Sequence, residues 1–95
     1  MRRLFVYGTL KRHGEKHYLL EGATFVGTGV ARGFVLGFGE FPEMKRGDAE
    51  VSGEIWDVPD HAMPAIDEWE GHPDFYVRTP IELADGMRVE VYLKA

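Results

Sequence analysis

Phe75-Tyr76-Val77-Arg78-Thr79-Pro80-Ile81-Glu82-Leu83-Ala84-Asp85-Gly86-Met87-Arg88-Val89-Glu90-Val91-Tyr92-Leu93 is the stretch that decides the fold class. Apolar and polar positions alternate on both sides of an Asp-Gly pair, the pattern of two strands joined by a tight turn. Phe75, Val77, Thr79, Ile81 and Leu83 share one face of the first strand, and Met87, Val89, Val91 and Leu93 share one face of the second. A two-residue Asp85-Gly86 loop would place Leu83 opposite Arg88 and mix the apolar and polar faces. A three-residue Ala84-Asp85-Gly86 loop opposes Leu83 with Met87, Ile81 with Val89 and Glu82 with Arg88. The pattern therefore predicts the second register, with Gly86 in the left-handed conformation.

Working back toward the N-terminus, Asp60–Glu70 reads as a helix with Pro64 in its first turn. Glu50–Val58 reads as a strand, and Gly37–Gly47, which contains Phe41-Pro42, as a loop. Phe25–Leu36 reads as one or two strands, with Gly27, Gly29 and Gly33 marking bulges or bends. His13–Leu20 is expected to form a short helix that packs Tyr18, Leu19 and Leu20 and stops at Gly22. Leu4–Tyr7 is a continuous apolar run, expected as a strand buried on both faces, and Gly8-Thr9-Leu10 as the turn that follows it. Several short strands with one or two short helices predict a single α+β domain over residues 1–95. Its expected architecture is a small, curved, mixed β-barrel of about five to seven strands.

Composition narrows the function. Apolar residues make up 44% and charged residues 28% of the 95-residue chain, ordinary values for a globular domain. No apolar run approaches the ~20 residues that span a bilayer. The N-terminal Met1-Arg2-Arg3-Leu4-Phe5-Val6-Tyr7 reads as a strand rather than a targeting segment, so a cytoplasmic location is the expectation. The formal net charge is −5, and the basic residues occur only as scattered pairs, so neither nucleic acid nor membrane is expected as a partner. The absence of cysteine excludes thiolate nucleophiles, disulfides and cysteine metal sites. Asn and Gln are also absent and Ser52 is the only serine, a composition that thermophily or codon bias can each produce. His13, His17, His61 and His72 show no metal-ligand spacing, and no nucleotide-loop or serine-hydrolase motif occurs.

One carboxylate is out of place. At about 100° per residue, Trp69, Ile66, Met63 and Ala65 of the 60–70 helix form an apolar arc. Glu68 falls opposite that arc, where a solvated acid belongs. Glu70 falls between Ile66 and Met63, within the stripe that should face the core. A carboxylate there needs a partner or a raised pKa, and the negative end of the helix acts in the same direction. Such a group is suited to general-base work at neutral pH. The competing readings are that Glu70 frays outward beside Gly71 or pairs with Arg78; burial decides between them. Asp67, on the edge of the arc, can be a second acid but reads rather as a residue that caps or hydrogen-bonds a nearby loop, and Glu54 as an exposed strand residue and weaker base candidate. The Tyr7-Gly8-Thr9-Leu10 turn can offer successive N–H groups to an anion, or can be an ordinary tight turn.

Taken in order, several short pieces resemble the γ-glutamyl cyclotransferase-like family, which includes γ-glutamylamine cyclotransferases and avirulence-induced plant proteins. They are Tyr7-Gly8-Thr9-Leu10-Lys11-Arg12, His17 before Leu19-Leu20, Phe41-Pro42 and Gly53-Glu54-Ile55-Trp56, followed by Ile66-Asp67-Glu68-Trp69-Glu70-Gly71 and Tyr76-Val77-Arg78. The resemblance implies a small barrel with a cofactor-free pocket. Glu70 would be the proton acceptor, Tyr7, Gly8, Thr9, Leu10 and Tyr76 would bind the substrate, and the Tyr76 hydroxyl would hydrogen-bond the substrate or Glu70. The implied reaction closes a γ-glutamyl compound onto its own α-amine and releases 5-oxoproline. A non-catalytic module binding a small metabolite in the same pocket is the alternative. Larger relatives carry more residues after the last strand, so the expectation here is an open cavity or one covered by a second subunit, in a monomer or homodimer.

Overall fold

The computed structural model describes residues 1–95. Five strands and one α-helix follow in the order β1 (Arg2–Val6), β2 (Thr24–Phe38), β3 (Pro42–Val58), α1 (Met63–Glu70), β4 (Tyr76–Glu82) and β5 (Arg88–Lys94). Single 3₁₀ turns occupy His17–Leu20 and Asp60–Ala62. The strands form one mixed sheet in the order β2-β3-β1-β5-β4, with β1 parallel to β5 and every other neighbouring pair antiparallel. No helix is long and apolar enough to cross a membrane.

The central position of β1 follows from its apolar run. Leu4, Phe5 and Val6 are all buried. Phe5 packs on one face with Met44, Ile55, Val89 and Val91. Leu4 and Val6 pack on the other with Leu20, Trp56, Ile66 and Tyr92. Each such aliphatic side chain contributes roughly 1.5–3 kcal/mol by leaving water. The β4–β5 register is the predicted one. Ile81 pairs with Val89 and Glu82 with Arg88, the Leu83 N–H donates to the Met87 carbonyl at 2.8 Å, and Gly86 has φ +91°.

Four expectations need correction. The sheet is open rather than a closed barrel: β2 and β4 are free edges, and a single backbone bond joins the β4–β5 turn to β2, from Ala84 N–H to the Val30 carbonyl at 2.8 Å. Pro80 leaves β4 one donor short, which suits an edge strand. The supposed loop 37–47 is mostly sheet; only residues 39–41 separate β2 from β3. The supposed helix 13–20 is helical only at His17–Leu20, because His13 takes φ +69° and the chain folds back so that Lys16 N–H meets the Thr9 carbonyl at 2.8 Å. Leu20 is buried as expected, but Tyr18 is exposed, as is Ala65 on α1. Two of the three expected glycine bends occur, as register slips between Phe25 and Gly27 and between Arg32 and Phe34, whereas Gly29 pairs regularly with Gly53. At the second slip Phe34 faces both Arg46 and Ala49, and this kink accompanies a hairpin whose tip turns toward α1.

Candidate active site

After Val6 the chain turns sharply. The Gly8 carbonyl accepts from Lys11 N–H at 3.0 Å, the Thr9 carbonyl from Lys16 N–H at 2.8 Å, and the Leu10 carbonyl lies 2.8 Å from His17 Nδ1. The Arg12 N–H donates to Glu54 Oε1 at 2.7 Å. The carbonyl groups of the turn are thereby occupied, whereas the N–H groups of Gly8, Thr9 and Leu10 meet no acceptor in the protein. Three consecutive unpartnered amides form a ready acceptor site for an anion. Gly8 is not in the left-handed region, and a Cβ there would meet the Pro42 ring at 3.5 Å, an ordinary contact.

Glu70 closes the last turn of α1. The helix stops at Gly71, φ +67°, whose N–H returns to the Glu68 carbonyl at 3.1 Å, while His72 N–H reaches that of Asp67 at 3.0 Å. Helix packing through Met63 and Ile66 carries Glu70, one turn beyond Ile66, into a half-buried position. No protein group hydrogen-bonds its carboxylate and no cation pairs with it. No buried side-chain oxygen is left without a partner, so the Glu70 oxygens open onto free space. Burial raises its pKa from 4.5 to about 7. Arg78, the partner that the sequence offered, is engaged by Asp67 at 3.4 Å and Glu90 at 3.5 Å.

Both elements line one cavity of about 470 Å³. Its walls are the Tyr7–Leu10 turn, the end of α1, the β2–β3 tip at Glu40–Glu43, Phe75-Tyr76, and Tyr92 with Lys94. All six residues singled out in the sequence, Tyr7, Gly8, Thr9, Leu10, Glu70 and Tyr76, are among its lining. The Tyr7 hydroxyl donates to the Tyr92 carbonyl at 2.6 Å and accepts from Met44 N–H at 3.3 Å. The Tyr76 hydroxyl donates to the Pro42 carbonyl at 3.1 Å rather than to Glu70. Burial, with Glu70 nearby as a further cause, holds both phenols above their ordinary pKa, so both remain protonated at neutral pH.

Glu54 is excluded as a base: its Oε1 accepts from Arg12 N–H and from Trp56 Nε1–H at 3.2 Å, away from the cavity. Asp67 does form hydrogen bonds, but to strands rather than to a loop: it accepts from the Tyr92 hydroxyl of β5 at 2.6 Å and faces Arg78 of β4 at 3.4 Å. Sequence reasoning missed Pro42, Glu43, Trp69, Tyr92 and Lys94. Lys94 is the cavity's cation, 3.9 Å from Glu43 and 5.5 Å above the Tyr76 ring. Tyr92 and Lys94 occupy the even positions of β5, opposite Val89, Val91 and Leu93, so the alternation already marked them as a second face.

A family model described as "Gamma-glutamyl cyclotransferase, AIG2-like" matches residues 4–95. A Methanocaldococcus jannaschii protein, named provisionally for γ-glutamylcyclotransferase activity, is 28% identical over 98% of this chain and 82% of its own length. The γ-glutamylaminecyclotransferase of Rattus norvegicus is 29% identical over 87% of this chain and 64% of its own length, so the chain spans less than two thirds of that relative. The crystal structure of an uncharacterized Pyrococcus horikoshii protein superposes with a TM-score of 0.88 at 26% identity, covering 99% of this chain and 78% of that one.

Proposed function

Because the chain belongs to the γ-glutamyl cyclotransferase, AIG2-like family, we propose that it converts a small γ-glutamyl amine to 5-oxoproline and the free amine, with Glu70 as proton acceptor. The observation that carries this reading is the pairing, across one cavity, of an unpartnered carboxylate with three unpartnered amides. One is suited to a cation that must lose a proton, the other to a negative charge.

The proposed steps use only the chain's own groups. Glu70 takes a proton from the substrate's α-ammonium. A pKa near 7 rather than 4.5 makes that transfer about 3 kcal/mol less uphill. The freed amine attacks the γ-carbonyl carbon and closes a five-membered lactam. The bond from that carbon to the leaving nitrogen breaks; Glu70 returns its proton to the departing amine and relays to it the second proton shed by the ring nitrogen, so that the amine leaves as its ammonium form. The Gly8, Thr9 and Leu10 amides hold the negative charge of the substrate, and the Tyr76 oxygen, whose proton is given to Pro42, accepts from the ammonium. Both reacting groups belong to one molecule, so selecting a folded-back conformer in a confined cavity supplies much of the acceleration.

The test is 5-oxoproline release from a panel of γ-glutamyl amines and γ-glutamyl peptides, for the wild type and Glu70→Gln. Turnover is expected in the wild type only, with kcat/KM falling below pH 7 as Glu70 takes up its proton. Equal release by Glu70→Gln would remove the base assignment. Binding of panel members without any release would favour the metabolite-binding alternative.

A further inference from the structure

Tyr92 touches both halves of the site. It lies on β5 and is 2% exposed. Its hydroxyl donates at 2.6 Å to Asp67, which stands on α1 three residues before Glu70. Its main-chain carbonyl accepts, also at 2.6 Å, from the hydroxyl of Tyr7, the residue that leads into the unpartnered amides. Asp67 is held from its other oxygen by Arg78, the cross-strand neighbour of Tyr92. The base helix contacts the 3₁₀ turn at His17–Leu20, and Trp69 Nε1 stands 3.4 Å from Thr9 Oγ1, a long contact. The short bonds that tie the helix to the amide turn therefore pass through one residue.

We propose that Tyr92 is a positioning residue that sets the separation between the Glu70 carboxylate and the Gly8–Leu10 amides, through its hydroxyl on the Asp67 side and its carbonyl on the Tyr7 side. This rests on the proposed reaction for its kinetic consequence but not for its structural one. A half-buried carboxylate at the last residue of a helix keeps its burial only while the helix end is pinned. Without the Tyr92 hydroxyl Asp67 is held by Arg78 alone, which loosens the 67–71 turn toward water and makes Glu70 more easily ionised. Proton transfer across a fixed gap is also sensitive to displacements of about an ångström.

The test replaces Tyr92 by Phe, which keeps the ring and removes the hydroxyl alone. The Glu70 carboxyl is then titrated by NMR in the wild type and the variant, a readout that needs no substrate. The midpoint is expected near 7 in the wild type and about one pH unit lower in Tyr92→Phe. In turnover, kcat is expected to fall about tenfold with KM changed less than about twofold, and the acid limb of the pH profile to move down with the titration. Asp67→Ala breaks the same bond from the other end and is expected to reproduce the shift, which keeps the test open if either variant folds poorly. Asp67→Asn retains an acceptor for the hydroxyl and is expected to shift less than either. A wild-type midpoint in both Tyr92→Phe and Asp67→Ala would overturn the proposal. So would a full shift in Asp67→Asn, since the loss of a nearby charge would then be sufficient. If the wild type releases no 5-oxoproline, the proposed reaction fails while the titration still decides the positioning role.

Discussion

At the start of β1 the Arg3 guanidinium makes two hydrogen bonds to Asp57, at 2.9 and 3.1 Å, and Arg2 reaches Glu90 at 3.2 Å. At the far end of the same five-residue strand, three backbone amides and one carboxylate have no partner within the protein. The paired groups are in water, where such bridges add little to stability. The unpaired groups line a cavity, where leaving polar groups unmatched is costly. Partners are thus abundant where they matter least for stability and withheld where a ligand would supply them. The contrast locates function more surely than the ion pairs do.

The sharpest way to break the contrast is to neutralise the unpaired carboxylate. Glu70→Gln is expected to lower kcat/KM by about 10²–10⁴-fold, the usual share of a general base, with the circular dichroism spectrum unchanged. The next effect falls on the frame between the two ends. Gly53 lies against β1 so closely that a Cβ would stand 2.6 Å from both the Phe5 ring and the Val6 carbonyl. Gly53→Ala is therefore expected to destabilise the fold by about 2–3 kcal/mol in urea titration, because the backbone of a central strand cannot yield.

The third effect is thermodynamic. The folded pKa of Glu70 is raised above its unfolded value, so its neutral form favours folding. That contribution is complete below about pH 4.5 and is lost as pH rises through about 7. Glu70→Gln should match the wild type in stability at pH 4 and exceed it by up to about 3 kcal/mol at pH 8, read from melts across pH. The smallest effect belongs to the paired end. Arg3→Ala should leave turnover unchanged and lower the Tm only slightly; a marked loss of activity would show that the two ends are not independent.

The paired and unpaired ends were unequally legible in the sequence. The β4–β5 register could be derived because two alternating runs tolerate one alignment only. Glu70 could be flagged because helical phase is local and one acid broke it. The end of β2 and the start of β3 were hidden because Gly37, Pro42 and Gly47 are turn residues by local preference, and their strand identity comes from the β2–β3 ladder and the burial of Met44. Tyr92 and Lys94 stood on a recognisable face, but nothing local says that this face meets α1 and the β1 turn. The open edge of the sheet likewise depends on how far the β2–β3 hairpin curls, a property of the whole assembly. The three idle amides were invisible for a further reason: an N–H is spare only once the destinations of its neighbours' carbonyls are known.

The parallel pairing of β1 with β5, which sets Leu4 beside Glu90, bears on how the protein comes into being. β1 must wait for β5, which follows it by more than eighty residues, before it becomes an inner strand. The entropy of closing so long a loop is met before any contact rewards it. A nascent chain can form its long hairpin early, but it has no cavity until Tyr92 has left the ribosome. The cavity should then form in a single step, when β5 joins the sheet.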